Sequence, residues 1–482
     1  MEPAGALVVF LFMAMQILFG SVHAHGGSRV AGPLSFSDRI LGMQHELEMA
    51  AASPAVYSSP SSPQAGGSNS RVYRVTEYGA DPTGKRDSTG ALLAAMSAAI
   101  RGPSDGFLMD GIVNYDGARI SLEGGSYLIS RPLRFPSGGA GNLVIHGGTL
   151  RASDDFPTVG FLIDLSAPAT KAAASSSYNY EYITLRDLML DSNFRGGGVF
   201  VPNSLRISID NCYIAHFSTE GISVHGGHET YIRNSFLGQH ITAGSDPGER
   251  KFSGTAINLM GNDNAVTDVV IFSAAVGVMI SGQANTLSGV HCYNKAAGFG
   301  GTGIYLKLPE NTQTRIVNCY LDYTGIVAED PVQLDIVDSF FYGDAYVTLK
   351  SINGVVNGVN IVNNMFSGSN KGVDIVRLDQ SNGPFIRVDQ VVVDRNNVVG
   401  MRLRSTVARG FARGNGTSWT VDFGPVLLFP NRLNHVQYSL STSGGGLFPR
   451  HCLRNTSENR VVVESDVAVP ASVYVTVDQG GK

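Results

Sequence analysis

Apolar and polar positions alternate in a short phrase that returns through the middle of this chain. It reads Gly-Ile-Ser-Val from Gly221, Ala-Ile-Asn-Leu from Ala256, Gly-Val-Met-Ile from Gly277 and Gly-Ile-Tyr-Leu from Gly303. Gly-Ile-Val-Ala from Gly325, Ala-Tyr-Val-Thr-Leu from Ala345 and Gly-Val-Asp-Ile from Gly372 continue it. Ile222 and Val224 enclose Ser223, Ile257 and Leu259 enclose Asn258, and Ile304 and Leu306 enclose Tyr305. A period of two marks strands. The phrases are 35, 21, 26, 22, 20 and 27 residues apart, and nothing between them has the length and period of a helix. One strand per short repeat is the pattern of a solenoid.

A second phrase keeps pace with the first. An Asn or Asp precedes a small residue and then apolar ones at Asn211, Asn234, Asp268, Asn318, Asp338, Asn363 and Asn396, with His291 filling the slot once. Asn and Asp accept a left-handed backbone most cheaply after Gly, so the slot reads as a sharp corner between strands. Stacked corner side chains then hydrogen-bond along the stack. Cys212, Cys292 and Cys319 each follow the turn residue and precede Tyr, which predicts equivalent stacked positions. The expected fold is all-β: a single-stranded right-handed parallel β-helix of roughly eight to ten coils, about 4.8 Å apart. A β-sandwich with accidental spacing is the plainer alternative.

Four segments follow from the composition. Residues 1–24 read as a signal peptide: an apolar run from Ala6 to Phe19, too short to span a bilayer, with small residues before a cleavage point after Ala24. Residues 25–70 hold an amphipathic helix over Ser35 to Ala52 and a Pro, Ser and Gly-rich linker from Ser53 to Ser70. Residues 71–404 form the β-helix domain, in which Asp87-Ser88-Thr89 starts an Ala-rich helix that covers the open first coil. Lys171 to Ser177 reads as a low-complexity loop between coils. Residues 405–482 form a small C-terminal β cap, with antiparallel strands around Val421, Val461 to Glu464 and Val473 to Val477.

The signal peptide implies a secreted protein outside the membrane, expected to be a monomer. The sequons at Asn415 and Asn455 agree with secretion. A net charge of −5 argues against a nucleic-acid partner. No metal-ligand spacing occurs, so no metal and no cofactor are expected. The four cysteines allow one or two bridges, with Cys292 and Cys319 close enough to bond if their coils are adjacent.

A resemblance now enters. The segment from Tyr73 through Tyr78-Gly-Ala-Asp and Gly84-Lys-Arg-Asp-Ser-Thr, followed by Gly125-Ser-Tyr-Leu-Ile, resembles the opening of the pectin lyase-like superfamily. The stretches Gly227 to His240 and Tyr323 to Gln333 resemble plant polygalacturonases of the quartet type, which loosen pectin so that pollen tetrads separate. The resemblance implies a secreted cell-wall protein that hydrolyses homogalacturonan, its polysaccharide partner.

Hydrolysis of a glycoside needs two carboxyl roles. Distantly similar family 28 polygalacturonases supply them as Asn-Thr-Asp and Asp-Asp, with Gly-His-Gly and Arg-Ile-Lys further on. Laid on the repeating strand, the Asp-Asp slot falls on Thr219-Glu220. The preceding coil offers only Gly196 to Gly198, with Asp191 upstream; the following one offers Gly254-Thr255-Ala256, with His240 earlier. Tyr305-Leu306-Lys307 occupies the Arg-Ile-Lys slot one coil late. The family machinery is therefore not kept position by position. Glu220 is the leading catalytic candidate, followed by Asp322, Asp246 and Glu249; Asp322 and Asp344 stand on neighbouring coils as an alternative pair. His225, His240, Arg250, Tyr305 and Lys307 are the substrate-binding candidates. Glu329 lies four coils from Glu220, roughly 19 Å away, too far to be its partner. Asp187, Asp268 and Asp338 read as ladder residues and Asp263 as a turn. Two functions compete with hydrolysis: a pectate lyase, for which no tight Asp cluster is visible, and a wall-binding solenoid that has lost its acids.

Overall fold

The protein is described by a computed structural model over residues 71–168, 178–240, 253–294, 299–307, 313–443 and 448–480. The expected signal peptide, the Ser35 to Ala52 helix, the linker and the Lys171 to Ser177 loop lie outside these residues.

Each coil follows one route. The strand Glu220–His225 leads to Tyr231–Arg233, a turn at Asn234, Phe236–Gly238, a corner, and then Thr255–Leu259 of the next coil. The first strand of every coil joins a nine-stranded parallel sheet, called the ribbon below, that runs from Phe161–Asp164 to Val376–Asp379. The other two strands of each coil stack in parallel as a second and a third face. Parallel pairing throughout the coils excludes the sandwich, and the stack is the expected β-helix.

The alternating phrase explains the core. Val199, Ile222, Ile257, Val278, Ile304 and Ile326 lie in one lateral row, all buried. Such a row removes apolar surface continuously along the helix axis, at about 25 cal/mol for each Å². The small residue that opens each phrase has a steric cause. A Cβ on Gly221 would lie 2.6 Å from the Ala256 carbonyl oxygen of the next coil, closer than real side chains approach.

The Asn/Asp slot is a column of left-handed residues at the second-to-third-face turn: Asp187, Asn211, Asn234, Asp268, Gly289, Asn318, Asp338, Asn363 and Arg395 all have positive φ. Asn211 Nδ2 donates to Asp187 Oδ1 across neighbouring coils at 2.9 Å. Two sequence assignments slip here. His291 is a third-face strand residue paired with Val270 and Tyr320, because Gly289 already makes the turn. Asn396 sits one residue past its turn, which Arg395 makes, and belongs to a buried amide pair in which Asn396 Oδ1 accepts from the Asn364 backbone at 2.9 Å. The cysteines divide accordingly. Cys212 and Cys319 follow the turn and take a Ser hydroxyl on their N–H, from Ser235 and Ser339. Cys292 instead stacks between Ile271 and Leu321 in the third face. All four cysteines are free thiols, so the Cys292–Cys319 bridge does not form.

A second left-handed column runs where the chain enters the second face: Asn142, Tyr182, Arg206, Glu229, Asp263, Ala284, Gln313, Gln333 and Gln390. At the N-terminal end the helix Thr89–Arg101 buries Leu92, Ala95, Met96 and Ala99. Ser88 is its N-cap residue, and the Asp87 carboxylate before it accepts the Thr89 N–H at 3.0 Å. After Asn397–Val399 the parallel stack ends. Val407–Asp422 and Arg460–Asp478 then pair antiparallel around a separate core that includes Trp419, Val463 and Val473.

Candidate functional site

Alternate positions of the ribbon strands point away from the core and line up from coil to coil. One outward row reads Asp164, Phe200, Ser223, Asn258, Met279, Tyr305, Val327, Thr348 and Arg377. A second row, two residues further along the strands, runs through Lys307, Glu329, Lys350 and Asp379 near the C-terminal end, with His225 beside Pro202 near the other. The ribbon is thus an outward strip of polar and aromatic side chains.

The carboxylates on this strip have different partners. Asp164 is buried and paired with Arg134 at 2.5 Å. Glu329 accepts from Tyr305 Oη at 2.5 Å and from Lys350 Nζ at 3.0 Å. Asp379 accepts the Ser381 N–H at 3.0 Å; that bond is the main reason its carboxyl is held below the usual range. Glu220, half-buried, accepts only an amide N–H, from Asn258 Nδ2 at 2.5 Å. Among the described residues it is the outward ribbon carboxylate with neither a cation nor a turn to satisfy it. At the other end of the same strand His225 Nε2 lies 3.0 Å from Ser223 Oγ, and the imidazole stands edge-on to Phe200.

Tyr305 and Lys307 are neighbours on one strand, the Lys307 ammonium 5.8 Å from the Tyr305 ring centroid. The Tyr305 phenol is raised above its ordinary value, first by burial and then by the Glu329 carboxylate that accepts its proton's hydrogen bond. Its hydroxyl is engaged, so only its ring is left to meet a ligand.

A second cluster stands at the corner that leads into the Glu220 strand. Asp191 ends the strand Tyr180–Asp191, and its Oδ1 lies 2.8 Å from His216 Nδ1, a corner residue with φ 55° one coil on. Burial acts to raise the Asp191 carboxyl, but hydrogen bonds from His216 and the Asn193 backbone, with the charges of His216 and Arg151, bring it below the usual range. Phe194 packs against both His216 and His240, with ring centroids 4.9 and 5.2 Å away. His240 therefore joins this corner rather than the strip. Sequence spacing does not pair Asp191 with His216, which are 25 residues apart. The one available signal was that each precedes a ribbon strand.

Other candidates fall elsewhere. Asp322 closes a third-face strand in register with Tyr293 and Tyr342 and is buried, so it does not share the strip with Glu220. Asp344, one coil on, holds the Ser369 N–H and Oγ with its two oxygens at 2.8 and 2.6 Å. Asp246, Glu249 and Arg250 lie outside the described residues. Asp263 is a positive-φ turn residue 3.0 Å from His228.

Comparison with known proteins adds three findings. The chain is 62% identical over 478 residues to the Arabidopsis thaliana protein called polygalacturonase QRT3, a match that covers 98% of this chain and 97% of that one. No family model matches the chain. Among solved structures it resembles ORF18 of Geobacillus virus E2 at a TM-score of 0.50 and 10% identity, covering 93% of this chain and 84% of that one. It also resembles the endo-xylogalacturonan hydrolase of Aspergillus tubingensis at a TM-score of 0.43 and 13% identity, over 68% of this chain and 92% of that one.

Proposed function

Because the chain belongs to the family of the Arabidopsis polygalacturonase QRT3, we propose that it hydrolyses the α-1,4-galacturonan of pectin. Its place of action is the plant cell wall, where cutting this polymer separates cells such as pollen tetrads. The outward strip of the ribbon is the trough that receives the chain, and Glu220 carries the reaction. The observation behind this assignment is that Glu220 alone, among the described carboxylates of the strip, is left uncompensated by a cation or a turn.

Glycoside hydrolysis transfers a proton to the leaving oxygen while a water, losing its own proton to a second carboxylate, adds to the anomeric carbon. Glu220 gives or takes one of these protons. Asp191, kept ionised by His216 and Arg151, is suited to the carboxylate role. Lys307 supplies a cation for a uronate carboxylate, with the Tyr305 ring beside it for the sugar face. His225, at the far end of the Glu220 strand, orients a sugar hydroxyl.

The protein is secreted, as the segment 1–24 implies. Among the described residues no helix is long and apolar enough to cross a membrane. Asn415 and Asn455 are exposed on the cap, where glycans would meet no obstacle from the coils. It acts as a monomer, on a polysaccharide partner and without a cofactor.

One feature favours a second reading, a galacturonan-binding protein without hydrolysis. In the rows flanking Glu220 the adjacent ribbon strands offer Gly197 and Thr255, not carboxylates. Purified protein incubated with defined oligogalacturonides separates the readings. Shorter products with new saturated reducing ends support hydrolysis; retention of the intact oligomer with no products overturns it in favour of binding. Unsaturated, ultraviolet-absorbing products overturn it in favour of elimination.

A further inference from the structure

We propose a second carboxylate-binding subsite at the cap end of the ribbon, built on Arg377, that holds a uronate of the same polymer several sugars away from Glu220. It rests on the galacturonan reading above. Arg377 stands six coils from Glu220, about 29 Å at the usual strand spacing.

Arg377 is held by stacking alone. Its guanidinium carbon lies 3.9 Å from the centroid of the Tyr346 ring. Tyr346 is stacked in turn on Phe299, with centroids 5.4 Å apart and planes 12° from parallel. Phe299 comes from two coils earlier and Arg377 from the next coil, so the tyrosine is supported from both directions along the axis. A guanidinium laid on a ring keeps its five N–H groups in the plane, directed outward from the stack. Arg377 makes no ion pair or hydrogen bond among the described residues.

The surroundings leave this charge unmatched. Arg377 lines a cavity of about 470 Å³ between the last ribbon strand and the cap. The cavity's acids are already satisfied: Asp374 by Arg402 at 2.7 Å and Arg404 at 3.3 Å, Glu458 by Arg460 at 3.2 Å. Arg404 also spends its guanidinium on the carbonyls of Gly424 and Pro425. Leu427, Leu428 and Pro430 also line it, beside Asn431 and Asn459. A planar cation free of ion pairs fits a pyranuronate, whose carboxylate takes a forked pair of N–H bonds.

The test measures binding of short and long oligogalacturonates by calorimetry, with a methyl-esterified long oligomer as the uncharged control. Arg377→Gln should weaken the long oligomer about tenfold, the worth of a charge-assisted hydrogen bond, and leave the short one unchanged. Tyr346→Ala, which leaves the guanidinium unsupported, should act in the same direction. The methyl-esterified oligomer should bind wild type and Arg377→Gln alike. Equal affinity of wild type and Arg377→Gln for the long oligomer overturns the subsite and leaves the galacturonan reading intact. Failure of wild type to bind either free-acid oligomer overturns that reading, and the subsite with it. Thermal melts of both variants identify any loss caused by unfolding, in which case Arg377→Lys, which keeps the charge and loses the fork, decides: full affinity for the long oligomer overturns the forked contact.

Discussion

Asn258 reaches back one coil to donate its amide N–H to Glu220, at 2.5 Å, while its own Oδ1 is buried without a partner. The amide thus has one available role, and it fixes the direction of the carboxylate on the strip. Glu220→Gln tests this arrangement cleanly. The new amide can donate where the carboxylate accepted, and Asn258 can flip to offer its unused oxygen, so the fold is kept. We expect kcat on polygalacturonate to fall at least about 100-fold with KM little changed. An unchanged kcat would remove Glu220 from the reaction.

The Asp191–His216 pair gives a prediction that separates chemistry from support. Asp191→Asn should abolish hydrolysis if this carboxylate takes the water's proton. His216→Ala removes the hydrogen bond and charge that hold the Asp191 carboxyl down, so the acid limb of the pH–rate profile should move to higher pH. A merely structural pair predicts lower melting temperatures for both variants and an acid limb that stays in place.

Tyr323 to Gln333 contains a device whose cost can be measured. Asp330, only 4% exposed, receives the backbone N–H groups of Ile352, Asn353 and Val355 from the next coil, at 3.1, 2.6 and 3.0 Å. It ties one coil to the turn of the next. Asp330→Ala should cost about 3–5 kcal/mol, because donors lose a charged acceptor without gaining water. Chemical denaturation measures it; a loss below about 1 kcal/mol would mean that the turn is satisfied in another way.

The ribbon was legible because its demands on the sequence are narrow. From Gly198 to Gly325 the residue before the first inward one is Gly or Ala, and the inward row is aliphatic. Tyr346 and Ile375 hold that place in the last two coils, where the final ribbon strand is Val376–Asp379 and the phrase read from Gly372 slips. The turn column was legible where Asn or Asp filled it and slipped where Gly289 and Arg395 did. The second column was invisible, since Tyr182, Arg206, Glu229, Ala284 and Gln313 share a backbone conformation but no chemistry. The site divides the same way. Glu220 abuts a recognisable phrase. Asp191 and His216 meet only because a corner residue turns its ring back one coil, and Arg377 matters only because the acids around it are already paired. Neither relation is a spacing.

His291 makes stability depend on pH in a direction that can be worked out. Its ring packs on Tyr320 and Tyr293, with centroids 4.5 and 5.9 Å away, and its Nε2 is buried with no partner among the described residues. Burial pushes the imidazole down to about 4. In the unfolded chain it titrates near the ordinary value of about 6.5. Between these values the unfolded chain binds a proton that the folded one refuses, so stability falls as pH drops from about 6.5 toward 4 and is flat with respect to this group above that window. The cost at the acid end is at most about 3 kcal/mol. His291→Phe keeps the ring packing and removes the titration. Urea midpoints of wild type and variant should therefore differ little at neutral pH and diverge as the solution is acidified, the variant being the more stable. Parallel curves across the window would mean that the folded protein admits the proton at His291.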